Sequence, residues 1–174
     1  MTKLKLDLVC QVAVVVPDLE KGLEQVRTLF GIDESSVSFG ESLELIRSGR
    51  LEPQIYNGVR GEYAYHQVKF FMGGMDIEMF APVEGSTGDP ISDFLKEHGP
   101  GIHHLNIRLA NREEGLRFLE EELKKVPLLE GHFLGRHFAY FDMREELGIT
   151  FEVGSRVVGP RASMAQAEIT ALLQ

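Results

Sequence analysis

Apolar and polar positions alternate over residues 7–16 around a valine-rich run, the pattern of a strand with one buried face. Pro17-Asp18 then supplies a turn and a helix N-cap. Leu19, Leu23, Val26, Leu29 and Phe30 fall at helical spacing, which predicts a helix over about 19–30 ended by Gly31. Residues 35–39 and 42–46 are expected as two strands of a meander, while Gly49, Pro53 and Asn57-Gly58 mark loops. Gly73-Gly74 separates two further apolar runs, 68–72 and 75–80, as the turn of a tight hairpin. Asp89-Pro90 opens a short helix over 91–97, closed by His98-Gly99-Pro100-Gly101. The pattern continues with a strand at 102–109, a helix at 113–125 and strands at 131–134, 138–143 and 149–153. Ser163-Met164-Ala165-Gln166 is a capping-box pattern before an Ala/Leu-rich segment, which predicts a terminal helix.

This succession contains one module twice. The run Gln11 to Leu23 aligns with His104 to Leu116, so that Glu20, Gly22 and Leu23 recur as Glu113, Gly115 and Leu116. Each copy is a strand, a helix and further strands, and each ends in an apolar strand with a central carboxylate, Glu78 or Glu152. The expected fold is α+β: paired βαβββ modules forming a curved, mostly antiparallel sheet around a cavity. The expected division is a first module at 1–82, a connector with a short helix at 83–100, a second module at 101–154 and a helical extension at 155–174.

Composition narrows the function. A single cysteine, Cys10, rules out an internal disulfide and a thiolate zinc cluster, and suits a reducing, cytoplasmic setting. In its apolar strand, Cys10 reads as an inert core thiol. No run approaches the roughly 20 apolar residues that span a bilayer, so no membrane partner is expected. A formal net charge of −9 with no Lys/Arg block argues against nucleic acid.

The chemistry-bearing residues sit at equivalent places in the two copies. If the modules pack about a pseudo-twofold axis, Gln11, Glu78, His104 and Glu152 meet in one cavity. A carboxylate in an apolar strand is costly to bury unless a cation or hydrogen bonds compensate it. One imidazole with several oxygens suits one divalent ion, Zn²⁺, Ni²⁺, Co²⁺ or Mn²⁺. Such an ion stabilises charge on a carbonyl oxygen while a carboxylate takes the neighbouring proton, with Glu152 the first candidate base and Glu78 the second. His103-His104 is expected to alternate, sending one ring to each face of its strand. Local cations must attract an anionic substrate to so acidic a protein. Arg60, Lys69, Arg136 and Arg144 are the candidates near the cavity mouth.

These residues, with Ile77 to Pro82 and Gly88 to His104, resemble the vicinal oxygen chelate superfamily, which includes glyoxalase I, extradiol dioxygenases and, most similar here, methylmalonyl-CoA epimerase. The resemblance implies a metal held by Gln11, Glu78, His104 and Glu152, a small-molecule substrate such as a CoA thioester, and a homodimer. Glutamine at the first position, followed by Glu, His and Glu, is the ligand set of some glyoxalase I enzymes. Val15 and Pro82, however, stand where those enzymes carry an arginine and an asparagine for glutathione. Arg144 falls at the place of an epimerase lysine. The second acid/base of an epimerase maps near His66-Gln67, which makes His66 its candidate. The function implied is that of a metal-dependent isomerase; the alternatives are a glyoxalase-like lyase, a dioxygenase, and a non-catalytic small-molecule-binding protein of the same fold.

Overall fold

The computed structural model describes residues 3–154. Its strands are β1 (Leu6–Val15), β2 (Asp33–Glu41), β3 (Gln54–Tyr56), β4 (Val59–Gly61), β5 (Tyr65–Met72), β6 (Met75–Pro82), β7 (Gly101–Leu109), β8 (Leu129–Phe133), β9 (Arg136–Met143) and β10 (Ile149–Gly154). All ten join in one sheet of order β2-β5-β6-β1-β7-β10-β9-β8-β3-β4. Only β1–β6 and β7–β10 are parallel pairs. Helices α1 (Leu19–Phe30), α2 (Ser42–Arg47), α3 (Pro90–His98), α4 (Arg112–Arg117) and α5 (Arg144–Leu147) complete the fold, and α4 runs on as a π-helical turn over Phe118–Glu122. This is the expected α+β architecture of paired βαβββ units. The terminal helix expected near residue 163 lies outside the described residues. Among those described, no helix is long and apolar enough to cross a membrane.

The register makes the repeat geometric. At the antiparallel centre Val12 pairs with Leu105, flanked by Gln11 with Asn106 and by Ala13 with His104. The parallel pairs repeat the arrangement, since Gln11 sits beside Asp76 as His104 sits beside Thr150, and Ala13 beside Glu78 as Asn106 beside Glu152. Gln11 therefore corresponds to His104, and Glu78 to Glu152.

Alternation then sorts side chains between two faces. On the outer face, Leu23 of α1 packs on Val68, Phe70, Ile77 and Met79, while Leu119 packs on Ile107, Leu109, Ala139, Phe141 and Val153. On the inner face Ala13, Val15, Tyr65 and Phe80 pack against Ile91, so α3 covers one end of the concave side. The recurring glycines follow from the outer packing. A Cβ on Gly22 would lie 2.8 Å from Met79 Sδ, and one on Gly115 2.3 Å from Leu109 Cδ1. A side chain at either place would have to displace that neighbouring side chain.

Caps match their sequence signals: Asp18 accepts from the Lys21 amide, and Asp89 from the amides of Ile91 and Ser92. Residues 42–46, expected as a strand, are helical instead. Ser42 and Leu45, three apart, are its buried pair, and the Ser42 hydroxyl donates to Tyr63 O while accepting from the Tyr65 amide. Asn57-Gly58, expected in a loop, turns the β3–β4 hairpin with φ of 49° and 76°. That hairpin belongs in sequence to the first half, yet it pairs with β8 of the second. The segment from α2 to β4 thus crosses the open side of the sheet, held by Glu52 N to His132 O and Leu134 N to Arg50 O.

The glycine packing predicts that Gly115→Val lowers stability by about 1–3 kcal/mol in urea denaturation, because buried Leu109 must move. The exposed neighbour Glu114→Val should change it by no more than about 0.5 kcal/mol.

Candidate metal centre

A cavity of about 340 Å³ opens on the concave face, lined by Gln11, Lys69, Asp76, Glu78, Asn106 and Glu152 among others. Each half contributes through its parallel strand pair, which is where the register places the two equivalent carboxylates. Glu78, His104 and Glu152 each bring one ligand atom to within 4.8 Å of the others. Gln11 is buried beside them, its side-chain amide bonded to the Asp76 carboxylate, an arrangement that leaves the Gln11 carbonyl oxygen available. His104 has no exposed surface, and its Nε2 has no hydrogen-bond partner. Glu152 Oε2 lies 3.1 Å from that nitrogen but off the line of a hydrogen bond. A buried imidazole nitrogen without a hydrogen bond, facing converging carboxylates, fits a metal ligand.

The histidine pair departs from strand alternation. β1 pairs Ala13 with His104 but Val14 with Ile102, so His103 is the extra residue of a β-bulge. Both rings are consequently buried, and their Nδ1 atoms lie 2.8 Å apart. The expected opposite orientation does not hold, because the bulge shifts the pleat by one residue.

Lys69 Nζ lies 2.8 Å from Glu78 Oε1. Burial opposes the lysine charge, but Glu78, with help from Glu152 and Asp76, overcomes that and holds its pKa above the ordinary lysine value. Asp76 is pushed up to about 6, chiefly by burial and further by Glu78, against the pull of Lys69 and the bond from Gln11. Burial, then the neighbouring carboxylates, keeps the Tyr140 phenol protonated far above its usual range. Tyr140 packs against His104 with ring centres 4.4 Å apart and planes tilted by 41°. Register makes Lys69, opposite Glu78, the counterpart of Tyr140, opposite Glu152.

Of the residues expected at the site, Glu78, His104 and Glu152 converge, and Gln11, Lys69 and Arg136 line the adjoining cavity. His66 does not. Tyr65, Gln67 and Lys69 take the inner face of β5, so alternation turns His66 outward. Arg144 is also outside the lining, held by Asp142 through two bonds of 2.9 and 2.7 Å and in contact with His98. Arg60 lies on β4, away from the lining. Sequence reasoning missed Asp76, Asn106 and Arg50. The first two carry a legible signal, since each stands two residues from a ligand position on the same strand face. Arg50 reaches the rim because the crossing segment brings it over the Phe133 ring, 5.7 Å from its centre.

Comparison with known proteins agrees with this fold. The family model described as Glyoxalase/Bleomycin resistance protein/Dioxygenase superfamily matches residues 10–140. No curated protein sequence matches the chain. Among solved structures, methylmalonyl-CoA epimerase from Mycobacterium tuberculosis superposes with a TM-score of 0.59 at 16% identity, covering 93% of this chain and 96% of that one. A variant of the Streptomyces coelicolor epimerase, in complex with 2-nitronate-propionyl-CoA, gives 0.55 at 12% identity over 90% and 100% of the two chains. At such identities the likeness is one of fold.

The buried Asp76 gives a pH signature in metal-free protein. Its folded pKa of about 6 exceeds the unfolded value of about 3.9, so the folded state holds the extra proton and stability falls as pH rises between the two. Asp76→Asn removes that penalty while keeping an acceptor for Gln11. Its stability relative to wild type should therefore rise by on the order of 2–3 kcal/mol from pH 4 to pH 8, measured by urea denaturation with chelator present. A difference independent of pH would contradict this assignment.

Proposed function

Because the chain belongs to the glyoxalase/bleomycin resistance protein/dioxygenase superfamily, we propose that it is a metal-dependent isomerase that moves the proton beside a carbonyl or acyl-thioester group. The observation that carries this reading is the buried, unbonded His104 Nε2 facing Glu78 and Glu152 in a cavity that also holds a lysine. Gln11, Glu78, His104 and Glu152 would hold one divalent ion of the Zn²⁺, Ni²⁺, Co²⁺ or Mn²⁺ type. Such an ion supplies Lewis acidity that stabilises negative charge on the substrate's carbonyl oxygen.

The chain's own groups account for the proton movements. Glu152 serves as the base that removes the α-proton. Lys69 reaches the cavity from the other half of the sheet, and its ammonium, held charged by the carboxylates around it, is the acid that returns a proton to the opposite face. It takes the part that the sequence suggested for His66. Tyr140 and Phe138 close the apolar wall and limit water. The cavity volume of about 340 Å³ suits the acyl end of a substrate. Arg50 and Arg136, on the same lining, suit the phosphates of a larger carrier such as CoA. The Streptomyces coelicolor epimerase and a second epimerase structure, in complex with methylmalonyl-CoA, hold ligands of that class. A cytoplasmic homodimer belongs to the same reading.

Protein purified without an affinity tag should carry one equivalent of divalent metal by elemental analysis. Glu78→Ala and His104→Ala should lose it, and full occupancy in both would place the metal elsewhere. In deuterated water, methylmalonyl-CoA should exchange its α-hydrogen, and Glu152→Gln should slow exchange by about 10²–10⁴-fold. Lys69→Met should keep exchange but slow inversion, seen as exchange without racemisation. Absence of exchange with wild type would reject this substrate class.

A further inference from the structure

We propose that His103 is a positioning residue for the metal centre, fixing through its Nδ1 both the ring of His104 and the nitrogen on which His104 carries its proton. The proposal rests on the reading of Gln11, Glu78, His104 and Glu152 as metal ligands, and assigns a role to a residue outside that set. Two observations carry it. The bulge opposite Ala13 and Val14 turns both rings into the protein and leaves their Nδ1 atoms 2.8 Å apart. A neutral pair shares one proton across such a contact. The second observation is that His104 Nε2 is fully buried and makes no hydrogen bond.

If His103 donated, His104 would carry its proton on Nε2, as a buried N–H with no acceptor on its line. In the other arrangement His104 donates from Nδ1 to His103, and its Nε2 presents a lone pair toward Glu78 and Glu152, where a cation takes it up. Metal-bound histidines commonly donate their second N–H to a carboxylate or a carbonyl; here a neutral imidazole accepts it. His103 is suited to that part. Phe94 and Tyr140 pack edge-on against its ring, with centres 4.7 and 5.9 Å away, and fix its orientation.

The test is zinc affinity by competition with a chromophoric chelator, using wild type, His103→Gln and His103→Leu. Glutamine keeps a neutral acceptor, whereas leucine fills the space without one. Leucine should weaken binding about 10–100-fold, with glutamine restoring most of the loss. Thermal melts of the metal-free variants identify any that fail to fold. Nitrogen-15 spectra of zinc-loaded wild type, which need no variant, should show His104 protonated at Nδ1 and ligated through Nε2. Equal zinc affinity in all three proteins, or ligation through Nδ1, would overturn the role of His103 and leave the metal reading intact. Failure of wild type to bind zinc would overturn that reading and this one together.

Discussion

Buried negative charge is the constraint around which the molecule is organised. Asp76, Glu78 and Glu152 lie on the inner face of a single sheet, each less than one-tenth exposed, with Lys69 the cation bonded among them. Carboxylates withdrawn from water are costly unless something positive compensates them, and one lysine does not balance three. Repetition of one module produces the concentration, because the parallel pairs β1–β6 and β7–β10 place Glu78 and Glu152 at equivalent points beside the central β1–β7 contact. Polar density at the centre is tolerated because apolar packing lies elsewhere, in two outer clusters under α1 and α4. The glycines at 22 and 115 let those helices approach closely enough to make that packing.

Local physics made much of this legible. Alternation, the Asp18 and Asp89 caps and the Gly73-Gly74 turn act over a few residues, and the strands and helices they announce are present. The repeat made the ligand positions legible too, since four polar residues at corresponding places carry more information than any one of them. The helix at 42–47 and the short strands β3 and β4 escaped the sequence pattern because their structure is decided from a distance. Ser42 is fixed by the backbone of residues 63 and 65, and the β3–β4 hairpin by β8. His103 escaped the pattern because a bulge shows only when the partner strand is known. Lys69 read as one rim cation among several, since its neighbours Glu78 and Asp76 lie across a hairpin register. His66 failed as a cavity residue through an error of one position, which in a strand reverses the face.

The crossing of residues 42–61 from one end of the sheet to the other bears on how the chain acquires its structure. Two compact halves with mainly local pairing would be expected to form separately and then dock. Here the first half cannot complete itself, because its hairpin finds its partner only in β8, formed from sequence far downstream. Leu51 bridging to Phe133 likewise closes a very long loop before any contact rewards it. Folding should therefore be slow and all-or-none, with the cavity mouth assembled last. The same interlock makes the halves interdependent: expressed apart, each would lack a wall of the site.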